Sequence, residues 1–245
     1  MNNLAKSLVA EAIGTFALIF IGVLAIVGVK IAGPTSPVVT LSSIALAHGL
    51  AIAVMVAALG AVSGGHFNPA VTFGFVITRR MSAITGLLYG IAQLVGASIA
   101  AFLIAGLFGA ARVAGGTPDV AATISPFAGI VVEAVTTFFL VLVVFGTAVD
   151  PRARNKEYAL AIGLTVALDI MAAGALTGGA MNPARAFGPA LASGHWAHQF
   201  VYWIGPLLGG GCAAILQHSF LMEHTAAEQP APAREADFQR TSTNA

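Results

Sequence analysis

Long apolar runs separated by short polar breaks fill most of this chain. Six of them, at about residues 8–29, 40–61, 84–109, 127–149, 157–176 and 197–221, are long enough to cross roughly 30 Å of hydrocarbon as helices rising 1.5 Å per residue. Two shorter apolar pieces, at about 69–78 and 183–193, begin at Pro69 and Pro183. Neither can cross. Proline at a first helical position loses no hydrogen bond, so both pieces read as half-helices. At membrane depth the irregular backbone leading into them survives only when buried in protein or lining a wet cavity. The expected fold class is an all-α membrane protein with six transmembrane helices and two re-entrant half-helices.

The two short pieces are copies of one another. Asn68-Pro69-Ala70 recurs as Asn182-Pro183-Ala184, 114 residues on (182 − 68). Gly64-Gly65-His66 precedes the first and Gly178-Gly179-Ala180 the second, and the same offset aligns Leu46–Leu50 with Leu160–Leu164. About half the positions in this stretch are identical. Val9–Phe16 with Glu11 resembles Val131–Phe138 with Glu133, and Tyr89 and Gly96 find counterparts in Tyr202 and Gly209. Each half holds three crossings, an odd number, so the second half must be inverted, an arrangement that puts a pathway near the midplane. The channel domain is expected over 1–222, with repeats at about 8–109 and 127–221.

Composition excludes a water-facing globule. The chain is 58% hydrophobic and 9% charged, against about 25% charged in soluble domains. A net charge of +1 with no basic stripe gives no reason to expect nucleic acid. The single cysteine, Cys212, excludes an internal disulfide and a zinc cluster, and its apolar setting predicts a buried small hydrophobe. No metal or other cofactor is expected. The run after the polar start Met1–Lys6 is too long for a cleaved signal and reads as the first membrane helix. With the N-terminus inside, Lys6, Arg79, Arg80, Arg152, Arg154 and Lys156 fall on the cytoplasmic side, the bias expected of inward loops. That predicts a multi-pass protein of the plasma (inner) membrane with both termini cytoplasmic. From 223 to 245 the composition predicts a disordered tail.

At these motifs the chain resembles the aquaporin, or major intrinsic protein, family, over nearly its whole length up to the tail. The resemblance implies a homotetramer in the lipid bilayer, each protomer with its own pore for water and small neutral solutes. The physics is legible from the residues. Two half-helices meeting at their N-termini set positive dipole ends at the membrane centre. Asn68 and Asn182 cap those ends and offer amide N–H groups to a passing oxygen. A water so held aims its hydrogens away from the centre, which frustrates proton hopping, while the dipoles repel cations. Gly64, Gly65, His66, Gly178 and Ala180 are expected to supply a ladder of carbonyl acceptors.

The family's outer constriction maps by spacing onto His48, Ile170, Gly179 and Arg185. An arginine at membrane depth marks a pathway by default. The set departs from the strict water-channel pattern, which has an aromatic at the His48 position and a histidine at the Ile170 position. It is similar to that of plant vacuolar-type members that also pass ammonia, so the resemblance implies water first, then ammonia or hydrogen peroxide. Glycerol facilitators usually have Asp after the arginine, where this chain has Ala186.

Glu11 and Glu133 are expected to accept backbone hydrogen bonds from the re-entrant loops, and Asp169 to point away from the pore in a structural role. An ion-coupled transporter is the rival reading and would recruit these carboxylates. No Ser/His/Asp grouping or paired catalytic aspartates suggest an enzyme, and His195 and His198 show no carboxylate partner nearby in sequence.

Overall fold

The computed structural model describes residues 3–33, 36–153 and 157–223. Arg154 and Lys156, invoked above for orientation, and the tail from residue 224 lie outside the described residues. The elements are helices α1 (Asn3–Ala32), α2 (Pro37–Ser63), α3 (Pro69–Ile77), α4 (Ala83–Phe108), α5 (Ala110–Ala114), α6 (Pro126–Val144), α7 (Tyr158–Thr177), α8 (Pro183–Ser193) and α9 (Val201–Leu216). Single π-helical turns extend α6 to Val149 and α9 to Leu221. Among the described residues, six helices are long and apolar enough to cross a membrane. The protein is an all-helical, multi-pass membrane protein.

The half-helices α3 and α8 start at the two prolines. Asn68 and Asn182, in extended backbone, cap them by accepting from Ala70 N and from Ala184 N and Arg185 N. The sixth crossing was expected from about 197, but residues 197–200 form a turn, with His198 in the left-handed region at φ 51°. Helix α5 had no periodic signal, being only five residues long.

Glycines set the helix spacing along the duplication. At the crossing of α2 and α7, a Cβ on Gly49 would strike the carbonyl oxygen of Gly163, and one on Gly163 would strike that of Gly49. These two residues are also 114 apart (163 − 49), so the pseudo-twofold axis passes between them. Gly96 presses on the Ala12 carbonyl and its counterpart Gly209 on that of Ala134, joining α1 to α4 and α6 to α9. Small residues let apolar helices approach this closely where lipid provides no hydrophobic drive. The outward flanks carry Leu160, Leu164 and Leu168 of α7 and Ile84, Leu87 and Ile91 of α4, all exposed, as a lipid-facing surface requires.

One expectation fails on this surface. Cys212 is exposed. An apolar helix in a membrane has an outer face as apolar as its core, so hydrophobic context alone does not report burial.

Candidate functional site

Each re-entrant loop is tied down by a glutamate. Glu11, fully buried, accepts at Oε1 from Ser63 Oγ (2.7 Å) and His66 N (3.0 Å), and at Oε2 from Phe67 N and Gln93 Nε2 (both 2.7 Å). Glu133, also fully buried, accepts at Oε1 from Thr177 Oγ1 (2.6 Å) and Ala180 N (2.9 Å), and at Oε2 from Met181 N (2.6 Å). Tyr89 and Tyr202 donate to the Ser63 and Thr177 carbonyls. The two clamps share three donors of matching kind and differ by Gln93 on Glu11. The partners Ser63/Thr177 and Phe67/Met181 were missed in sequence, although they too sit 114 apart (177 − 63; 181 − 67).

These bonds hold an unfavourable backbone. Gly64, Gly65 and Phe67 have φ of 93°, 67° and 48°; Gly178, Gly179 and Met181 repeat this at 85°, 54° and 52°. Glycine adopts such angles freely, whereas Phe67 and Met181 store roughly 1–3 kcal/mol each. Backbone turned this way brings the loops to the cavities. Gly65, His66, Gly179 and Ala180 line a central cavity, while Gly178 borders a second, wider one. Gly64 lines neither; it caps α2 by donating to the Gly60 carbonyl.

The half-helices meet head-on at their caps. Asn68 Nδ2 donates to the Met181 carbonyl (2.8 Å), and Asn182 Nδ2 donates to the Phe67 carbonyl (2.9 Å). Each asparagine thus grips the opposite loop with one N–H and retains a second. Both line a cavity of about 30 Å³, together with apolar Leu18, Val71, Leu140 and Val166. One water needs about 10–15 Å³ by this measure, so the space holds about two to three water positions.

A wider cavity of about 340 Å³, bordered also by Lys30 and Asp119, lies beyond it, and Ile170 and Arg185 border both. The neck between them holds the four expected residues. His48 and Gly179 line the inner cavity beside Ile170 and Arg185. His48 Nδ1 lies 2.8 Å from the Ile44 carbonyl and must carry the hydrogen there, since a carbonyl only accepts. Its Nε2 has no partner and packs where Gly22 leaves room. Arg185 Nη1 reaches the Gly116 carbonyl at 3.4 Å, and Nε has no partner. Asp169, buried beside Ile170, borders neither cavity, and its Oδ2 has no hydrogen-bond partner.

His195 and His198 do have a carboxylate. Asp119 Oδ2 lies 2.9 Å from His195 Nε2, and Oδ1 lies 2.7 Å from His198 Nδ1. Sequence distance hid this, because Asp119 sits on the loop after α5, more than 70 residues away. Partial burial pushes the Asp119 carboxyl up, but bonds from His198, His195 and the Val120 N–H outweigh it and hold the group below its ordinary 3.8. A carboxyl so lowered stabilises the fold above its ordinary value and loses that contribution as pH falls through the lowered one. Asp119→Asn should therefore cost about 1–3 °C of thermal midpoint at pH 7, given a side chain 38% exposed. The deficit should narrow as pH falls below the ordinary carboxyl value of 3.8; a deficit that stays constant on acidification well beyond it would contradict this.

Fold and site together define a membrane channel of duplicated, inverted architecture with a narrow waist. The family model "Major intrinsic protein" matches residues 1–217, and the chain belongs to that family. It is 41% identical over 237 residues to "Aquaporin TIP2-1" of Arabidopsis thaliana, covering 95% of this chain and 93% of that one. It is 45% identical over 215 residues to "Probable aquaporin TIP2-1" of Oryza sativa subsp. japonica, covering 86% of each. Among solved structures, the aquaglyceroporin from Plasmodium falciparum superposes with a TM-score of 0.75, covering 89% of this chain and 97% of that one. At 23% identity that likeness speaks for the fold alone.

Proposed function

We propose that this protein is a passive channel that conducts water in single file, excludes protons and ions, and also passes small neutral solutes such as ammonia. The observation that carries the reading is the head-on contact of α3 and α8 through Asn68 and Asn182, each with an N–H left for the lumen. Two donors at the waist hold a water oxygen and turn its hydrogens outward to both sides. Carbonyls of the loops then accept along the file. Relatives named as aquaporins favour the same reading.

His48, Ile170, Gly179 and Arg185 set selectivity in this proposal. Ile170 and Gly179 contribute neither donor nor polar bulk, so the neck admits a solute that needs one donor group, Arg185, beside the His48 ring. Glycerol is the second reading, favoured by the apolar Ile170 wall. We further propose a homotetramer in the plasma membrane with both termini cytoplasmic; the channel domain ends near residue 222.

Stopped-flow light scattering on reconstituted vesicles tests the solute order. Water and ammonia should be fast and glycerol slow. His48→Phe should cut ammonia flux about fivefold, roughly 1 kcal/mol of barrier, with a smaller loss for water. Equal losses, or glycerol faster than ammonia, would overturn the ammonia assignment.

A further inference from the structure

The two half-helices differ in how their outward flanks are covered. In α8, Phe187 packs against Trp196 with ring centroids 5.6 Å apart. Its counterpart in α3, Phe73 (187 − 73 = 114), is 37% exposed. Beside it a groove of about 410 Å³ opens between α3, α4 and α9, with Val76, Ala83, Gly90, Leu94 and Trp203 among its lining residues. Along α4 it runs from Ala83 to Leu94, 11 residues, or roughly 17 Å. Half of a 30 Å hydrocarbon core is roughly 15 Å. The groove therefore spans one leaflet and ends at the depth of Pro69, where α3 begins at the membrane centre.

Its other end is cationic. Ala83 follows the turn that carries Arg79 and Arg80, and Arg79 is exposed. Arg80 beside it reaches Met222 Sδ (3.1 Å), so Arg79 is the cation this turn presents. The N-terminus of α4 adds a partial positive charge at the same level. An apolar trough one leaflet deep with a positive end matches one kind of membrane molecule.

We propose that this groove is a binding site for an anionic phospholipid of the cytoplasmic leaflet, one acyl chain lying against α3 and the headgroup against Arg79. The chain takes the place that Trp196 fills for α8 and completes the packing of the half-helix that carries Asn68. The proposal is independent of which solute the pore conducts.

Trp203 lines the groove and is one of only two tryptophans, which gives a direct readout. In a Trp196→Phe background, Trp203 fluorescence is titrated in phosphatidylcholine vesicles with phosphatidylglycerol or phosphatidylcholine brominated in the distal half of the acyl chain. Brominated phosphatidylglycerol should quench at about fivefold lower mole fraction, the worth of one arginine at an anionic surface. Arg79→Gln should merge the two curves while leaving maximal quenching intact. Outside its own helix backbone and chain neighbours, no atom lies within 4 Å of a Cβ built on Gly90, so a side chain can start there; Gly90→Phe should occupy the groove and at least halve maximal quenching. Coincident curves in the parent, or quenching untouched by Gly90→Phe, would overturn the proposal. So would quenching that appears only when copies are dissociated, which would give the groove to a second copy of the chain.

Discussion

Arg185→Val is expected to raise urea, glycerol and proton permeability at least tenfold, about 1.4 kcal/mol of barrier, with folding intact and water flux retained. The guanidinium stands at the neck shared by both cavities. Its hydrogen bond to the Gly116 carbonyl is long, 3.4 Å, and its Nε has no protein partner. A charge held this way is satisfied by whatever occupies the lumen, so it both narrows the neck and repels hydronium. Valine is the informative replacement because Val71 already occupies the equivalent place in the first half (185 − 71 = 114) and is buried there. Parallel light-scattering and pH-dye assays on vesicles check the result. A variant as tight as the parent to all three would remove Arg185 from the filter.

Glu133→Ala is expected to destabilise the fold by about 2–6 kcal/mol, since it orphans the Ala180 and Met181 amides at about 1–3 kcal/mol each. Glu11→Ala strands His66 N and Phe67 N in the same way. Thr177 and Ser63 can turn elsewhere; the backbone cannot. The measurement is folded yield and thermal midpoint in detergent, alongside water permeability per folded protein. If these carboxylates relayed protons for a coupled transporter, the variants would stay folded and lose solute accumulation instead. Loss of folding with normal unit permeability in the surviving fraction is the result expected here.

Most of this architecture was legible because it was written twice. The 114-residue offset places Asn68 on Asn182 and Tyr89 within one residue of Tyr202, while Glu11 and Glu133 pair at a longer offset of 122 (133 − 11); a contact in one half implies the same contact in the other. Where the halves diverge, one copy stops informing the other. Gln93, which adds a donor to Glu11 and also bonds Thr72 Oγ1, has no counterpart clamp on Glu133. The pairing of Asp119 with His195 and His198 was illegible for a related reason. It joins two outer loops that do not repeat, and nothing in helical periodicity reports on loop contacts. Cys212 failed differently, because in lipid an apolar pattern marks both faces of a helix.

Gly64 shows the limit of reading a motif by position alone. The Gly-Gly pair precedes each half-helix, yet its first member serves the preceding helix as a left-handed cap and only the second reaches the lumen in the first half. The backbone conformation, held where the Glu11 carboxylate accepts from His66 N and Phe67 N, two and three residues on, separates the two glycines' roles.

Water and proton flux measured together on the same vesicles test the central claim most directly. Two asparagine donors at the junction of opposed half-helices must pass water while breaking the chain along which protons hop. Rapid, non-saturating osmotic shrinkage with no accompanying change in internal pH under an imposed proton gradient is the predicted result. Proton entry that rises in step with water flux, or solute counterflow with saturation, would contradict it.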